Sequence, residues 1–515
     1  MSFYDQLQNT LTNSPVNRSV TENGAVGFRT AGKKLLDLNF AVSSLRGKSE
    51  TEIETRFAEV LGEDFVTAVV WLFFSRDIRG GMGERRLFHV CMRYLAREFP
   101  DKVVKLIPLV AEYGRWDDLL CLLDTRVAST VANTFLHQLQ QDMQNMRAGK
   151  SISLCSKWMP SASTSSKETR KKAEQLQKAF GWHPAYYRRT LSTLRRYIDV
   201  TERKMSRNQW GEIKYEAVPS RANLNYNNAF LRHDEERRRE YLGKLEKGET
   251  KINSSVLFPY DIVHKYVTQG GYMIGDYDTA LEAMWKGLPN TVEDGAGTIV
   301  VADGSGSMTS TIGTTKVSKW EVATSLAIYF AERLPGAYKN KYITFSATPQ
   351  IVDLGGSTTL HSKLQIAHEH DECTNTNIEA VFDLILGTAL TNHLSQRELP
   401  KNVLIISDLE FDKQTRGDRG WGGQCSFRSP SKALFDEIAE RYRRAGYQLP
   451  RLIFWNVNSR TETIPVKENN LGVALVSGFS PNVAKMVMSG KLDPYEALMD
   501  TLNVPRYDAV REALK

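Results

Sequence analysis

Near residue 297 the hydrophobic period of this 515-residue chain changes, and that change limits what it can fold into. Before it, apolar residues recur at three-and-four spacing over 35–45, 52–61, 65–74 and 85–99, the signature of helices with one buried face. A helical run over 103–111 meets the turn Tyr113-Gly114-Arg115, and Trp116-Asp117-Asp118 opens the next. After it, short β-branched runs at 297–302, 342–345, 402–406, 452–457 and 473–476 alternate with helical stretches such as 320–334. Strands that alternate with helices build a parallel sheet covered on both faces.

The expected fold class is therefore α plus α/β. Short helices joined by Gly turns, without strands, predict an N-terminal HEAT-like helical repeat, closed as a ring or open as a solenoid, over 1–290. A doubly wound parallel sheet is expected over 296–480, with functional loops at the carboxyl ends of its strands. The segment 481–515 reads as a helical tail that packs back on the helical part.

Composition excludes several classes. With 35 Gly and 17 Pro the chain is neither collagen-like nor low-complexity, and 21 Phe, 20 Tyr and 9 Trp call for packed cores. The longest apolar run, 65–74, is about half the roughly 20 residues of a transmembrane helix, so no membrane partner is expected. The polar N-terminus lacks a signal-peptide layout. Five scattered cysteines without CxxC spacing read as free thiols in a reducing, cytoplasmic compartment.

The net charge of +7 divides unevenly. Residues 291–515 hold 24 basic and 26 acidic residues, net −2, and residues 1–290 hold 43 and 34, net +9. Twelve of those 43 lie in 167–207, among them Lys171, Lys172, Lys178, Arg188, Arg189, Arg195 and Arg196. Arg188, Arg195 and Arg196 share a helical face. The interleaved Trp182, His183, Tyr186, Tyr187 and Tyr197 suit stacking on unpaired bases. The competing reading is a solvated helix face. The Gly-rich turn Arg79-Gly80-Gly81-Met82-Gly83 before a helix has the place of a phosphate contact but lacks the Lys-Ser/Thr ending of a nucleotide loop. A plain helix start is its simpler reading.

The loop after the first strand of the α/β half reads Asp303-Gly304-Ser305-Gly306-Ser307. It turns one carboxylate and two hydroxyls toward a common point, a donor set suited to Mg²⁺. Thr376, with Thr374 as its competitor, and Asp408 come from later strand ends. This DxSxS…T…D pattern resembles a von Willebrand factor A domain, whose metal-ion-dependent adhesion site would map onto Asp303, Ser305, Ser307, Thr376 and Asp408. Such a site leaves a coordination position open for an acidic group of a partner.

A helical-repeat half joined to an A domain resembles the Ro ribonucleoprotein (TROVE) architecture over nearly the whole chain. Segments such as RDIRGGMGER, KWMPSASTSSKETR, VPSRANLNYNNAFLRHDEER and IISDLEFD are similar to those of an uncharacterised related family with the same layout. The resemblance implies a helical ring that binds structured or misfolded non-coding RNA without catalysis. Trp182-His183 ahead of Arg188 and Arg189, with Lys171, Lys172 and Lys178 upstream, loosely follows the Ro pattern, although His183 follows the Trp directly here. Two other classes stay open. One is a protein-interaction scaffold that grips an acidic protein ligand through the metal, and the other is a metal-dependent nuclease using Asp303, Asp408 and Asp412. The Gly/Arg loop over 412–429 is a further candidate contact with nucleic acid.

Overall fold

The computed structural model describes residues 17–268, 273–292, 297–412, 433–466, 469–484, 486 and 491–515. The chain forms two compact units, one comprising Met1–Ser49 with Leu257–Thr501 and the other Glu50–Val256 with Leu502–Lys515. This division departs from the expected boundaries. Residues 17–49 and the helices after 257 pack with the sheet, not with the helical part, because their apolar faces are covered there.

The sheet unit opens with β1 (Arg18–Val20) and β2 (Val26–Phe28), an antiparallel hairpin inside the 1–290 stretch expected to be a helical repeat without strands. Phe28 pairs with Ile464 in an isolated bridge, which fixes the hairpin to a loop of the same unit. Helix α1 (Lys34–Ala41) follows.

The helical unit begins with α2 (Glu50–Glu63), α3 (Phe65–Arg76) and α4 (Arg85–Glu98), each of which touches the other two. The turn before α4 is structural: Gly81 N donates to Asp77 O, Met82 is buried, and Arg85 pairs with Asp117 and Asp118. Fully buried Asp118 also receives Arg76 at 2.7 Å, His89 at 2.8 Å and the Arg115 amide at 2.8 Å. Next come α5 (Pro100–Leu106), α6 (Ala128–Arg147), α7 (Lys167–Phe180), α8 (Pro184–Tyr197), α9 (Thr201–Ser206), α10 (Ser220–His233) and α11 (Glu235–Glu246). Helix α11 carries surface ion pairs at Arg237–Asp234 and Arg239–Glu235. Arg238 instead turns inward, donating to Asn227 and Asn223 with Tyr215, Phe230 and Tyr241 around its guanidinium.

Back in the sheet unit, α12 (Pro259–Tyr266) and α13 (Thr279–Lys286) precede the main sheet. Its elements are β3 (Thr298–Asp303), α14 (Lys319–Arg333), β4 (Lys341–Phe345), β5 (Gln350–Asp353), α15 (Leu360–Glu369) and α16 (Ile378–Thr391). They continue through β6 (Asn402–Ser407), α17 (Leu434–Arg444), β7 (Arg451–Asn456) and β8 (Val473–Ser477). The six strands run in the order β8-β7-β6-β3-β4-β5, parallel except for the antiparallel pair β4–β5. The chain winds to one side through β4 and to the other from β6, so the strand order reverses beside β3. Crevices form at the carboxyl ends of strands at such a switch point. The interior strands are buried along their length, as two-sided coverage requires.

The unit ends near α18 (Pro494–Leu502), and α19 (Asp508–Leu514) belongs to the helical unit, where it packs on α3 and α5. There Tyr507 is buried against Phe74 and Tyr113, and Arg506 is paired with buried Asp77. No described helix is long and apolar enough to cross a membrane.

Candidate functional site

Two clusters coincide with residues expected to be functional, one in each unit. In the sheet unit, β3 ends on Asp303 and β6 ends on Ser407, one residue before Asp408. Asp303 and Asp408 are almost completely buried. Asp303 accepts from Ser305 N at 2.9 Å and from Ser407 Oγ at 2.5 Å. The Ser305 and Ser307 hydroxyls lie 3.2 Å apart, and Ser307 Oγ donates to Asp408 Oδ2 at 2.8 Å. Gly304 and Gly306 are required by close approach: a Cβ would stand 2.7 Å from Thr344 Oγ1 at the first and 2.9 Å from Cys373 O at the second. The loop before α16 is laced to this one by Cys373 N to Gly304 O and Gly306 N to Thr374 O, both 3.1 Å.

Of the two threonines, Thr374 is exposed and its hydroxyl meets Ser346 at 2.6 Å. Thr376 is buried, its amide bonded to Asp412 Oδ2 at 3.1 Å and its hydroxyl 3.4 Å from Asn23 Nδ2. The structure thus joins Asp303, Ser305, Ser307 and Asp408 in one chain of contacts. Thr376 enters through neighbouring backbone. Burial, reinforced by the Asp408 charge, pushes the Asp303 carboxyl up to about 7. The half-buried Asp371 also rises to about 7, through its desolvation and the nearby Asp303 charge, although it accepts from the Trp320 indole.

The alternating run Asp408, Glu410, Asp412 does not present three carboxylates to one side. Leu409 has φ +62° and is buried, which breaks the extended alternation. Glu410 turns away into a nest of donors: the amides of Glu22, Arg460 and Thr461 at 2.7–2.9 Å and the hydroxyls of Ser459 and Thr461 at 3.0–3.1 Å. It fastens the β1–β2 turn to the sheet. Asn23 Nδ2 at 2.6 Å from Glu410 O and Thr21 Oγ1 at 2.7 Å from Phe411 O complete the fastening.

Carboxylate and hydroxyl oxygens are the donors a hard divalent cation takes, but among the described residues no group of three or more His, Cys, Asp or Glu is placed to hold one, and a cation that the sequence did not single out stands against these oxygens. Lys319 Nζ, 1% exposed, donates to Asp408 Oδ2 at 2.7 Å. Its only sequence signal is its place directly after the Ser318 N-cap, in the capping box with Glu321.

In the helical unit the structure separates the residues of the expected basic strip. Lys171 and Lys172 face Asp124 and Glu168 and line a cavity of about 430 Å³ in which Arg85 and Arg93 are also paired with acids. His183 is the N-cap of α8, its Nδ1 accepting from Ala185 N at 3.3 Å. Arg195 is structural: its guanidinium donates to Ser156 O and Met159 O at 2.7 Å and to Ser161 Oγ at 3.0 Å. With Tyr187 OH on Pro160 O at 2.8 Å, it fixes the KWMPS segment. Lys178, Arg188, Arg189 and Arg196 are exposed, and their side chains form no ion pair with the described residues. Arg188 opens onto a groove of about 590 Å³ between the 157–163 segment, α8 and α9. Lys157, Arg195, Arg203 and Arg207 line it with Arg188, and Glu202 is the one acid among its lining residues. Exposed Tyr186 and Tyr197 lie on the same helix as Arg188. The Gly/Arg stretch beyond Asp412 lies outside the described residues.

Comparison with known proteins places the chain. It is 30% identical over 527 residues to "Uncharacterized protein L728" of Acanthamoeba polyphaga mimivirus, an alignment that spans 94% of this chain and 87% of that protein. The chain belongs to the L728 family. Two family models match parts of this L728-family chain: one described as Domain of unknown function (DUF2828) over residues 162–295, the other as Domain of unknown function (DUF7788) over 297–508. The groove helices α8 and α9 fall in the first range, and the Asp303–Asp408 cluster falls in the second. The crystal structure of the Deinococcus radiodurans RO (RSR) protein covers 92% of this chain and 93% of its own at 14% identity. Its TM-score is 0.38, a likeness too slight to establish fold or function for the L728 family.

Proposed function

We propose that this chain is a non-enzymatic RNA-binding protein that takes structured or misfolded non-coding RNA on its helical unit, in the manner of the Ro proteins its sequence resembles. The observation that carries the reading is the groove in which Arg188, Arg203, Arg207 and Lys157 face a single acid, Glu202. Phosphate contacts supply most sequence-independent affinity for nucleic acid, and the exposed Tyr186 and Tyr197 add faces on which unpaired bases stack. In the sheet unit, the proposed A-like module, Asp303, Ser305, Ser307, Thr376 and Asp408 would hold Mg²⁺. Such an ion supplies an open coordination position for an oxygen of a partner.

The test is a titration of the full chain with a labelled structured RNA across a salt series. The affinity should fall with salt at a log–log slope near −0.9 per neutralised phosphate on duplex. Replacing Arg188, Arg203 and Arg207 together by Glu should weaken binding by about 10³-fold or more and flatten that slope by roughly three. Absence of binding at low salt, or an unchanged affinity in the triple variant, would overturn the reading.

A further inference from the structure

The cluster at the ends of β3 and β6 already contains a positive charge of its own. Lys319 is the first residue of α14, directly after the Ser318 cap. That is an unfavourable place for a cation, because the helix dipole presents its positive end there. Its side chain is nevertheless 1% exposed, and Asp408, its ion-pair partner, is 0% exposed. Burying an ammonium costs several kcal/mol unless it is paired. Lys319 Nζ donates to Asp408 Oδ2, the same oxygen that accepts from Ser307 Oγ.

A cation using the carboxylate of Asp408 and the hydroxyl of Ser307 must therefore meet the lysine at that oxygen. A second contact points the same way. The hydroxyl of Thr376, the remaining donor from another loop, faces the amide of Asn23 on the β1–β2 turn at 3.4 Å. That turn is independently fixed by Glu410 and by the carbonyl of Phe411.

We infer that Lys319 is a resident counter-cation of this cluster, and that a divalent ion enters only by displacing its ammonium from Asp408. This rests on the cation reading proposed above and specifies the condition on it. In the native chain the loops are held without metal. Mg²⁺ binding is weak because each binding event must leave the lysine without its carboxylate. A neutral side chain at 319 removes the competitor and leaves every oxygen donor in place.

Calorimetric titration of the full chain with MgCl₂ and MnCl₂ tests this on the native protein, Lys319→Met, Lys319→Gln and Lys319→Met combined with Asp303→Asn. Native protein should bind in the millimolar range or more weakly. Lys319→Met and Lys319→Gln should bind at least about tenfold more tightly, and Asp303→Asn should abolish the gain. If the native protein binds at micromolar concentration, or the neutral variants bind no more tightly than it does, the inference fails while the cation reading stands. If no variant binds either ion, the cation reading fails and takes the inference with it. Since Lys319→Met removes a buried ion pair, circular dichroism establishes that each variant is folded. The native chain carries its own readout should both variants unfold. In ¹⁵N-lysine-labelled protein the slowly exchanging Nζ signal of Lys319 should disappear at saturating Mg²⁺, and an Nζ signal unmoved by bound Mg²⁺ would overturn the displacement.

Discussion

Asp118 collects more charge than any residue of the proposed sites, yet its work is structural. Burial alone would raise its carboxyl, but the hydrogen bond from His89 and the charges of Arg76, His89 and Arg85 override it and hold the group well below the usual carboxylate range. A depressed folded value contributes stability that is present above the unfolded Asp value, about 3.9. That contribution is lost as pH falls from there toward the folded value. Asp118→Asn should therefore cost about 3–5 kcal/mol at neutral pH, because two arginines lose their buried partner. It should also flatten the acid limb of a stability–pH curve taken from denaturant midpoints. An acid limb as steep as the native one would refute the assignment. The residues of the sheet cluster illustrate what a single chain discloses. Asp303, Ser305, Ser307 and Asp408 were legible because each is fixed by its distance from the end of an apolar strand. Lys319 was not, because it meets Asp408 across 89 positions, and only the fold brings the two together.

Helix α8 shows why face arguments separate partners and fillers imperfectly. Arg188, Arg195 and Arg196 do share a face by spacing, but spacing leaves open how far the buried stripe extends. Arg195 stands four residues after Leu191 and eight after Tyr187, both buried, so it sits at the margin and turns inward. That stripe was readable in the sequence, and its meaning for Arg195 was not drawn from it. Arg195→Ala should release the 156–161 segment, visible as faster hydrogen exchange there and a loss of roughly 1–3 kcal/mol per orphaned buried acceptor at most. Arg188→Ala should leave exchange unchanged and weaken RNA binding. Equal effects on exchange would contradict the distinction. The strands β3, β4, β6, β7 and β8 fall within a residue or two of their expected positions, since continuous apolar runs mark doubly covered strands. The antiparallel edge β5 and the β1–β2 hairpin were not legible. Three or four residues of mixed polarity carry no period, and tertiary pairing decides them.

At the scale of the whole molecule, the periodicity change at 297 locates the sheet but not the unit that contains it. The chain leaves the sheet unit after Ser49, returns at Leu257 and leaves again after Thr501. The charge partition of +9 and −2 therefore describes halves of the sequence, not the two units. The helical unit depends on a segment far from it in sequence, and Tyr507→Ala tests this. Removing a ring buried against Phe74 and Tyr113 should cost about 3–5 kcal/mol. Protection against hydrogen exchange should be lost in Phe65–Arg76 and Pro100–Leu106. Loss confined to 502–515 would refute the dependence.

The same threading sets an order on synthesis. Phe74 and Tyr113 leave the ribosome early, but the Tyr507 ring that covers them follows only after the entire 257–501 stretch. At about 5–20 residues per second, the 394 positions between Tyr113 and Tyr507 leave the apolar seat of α19 open for roughly 20–80 s. The sheet unit can close before the helical unit that precedes most of it, and α19 completes a body begun at residue 50.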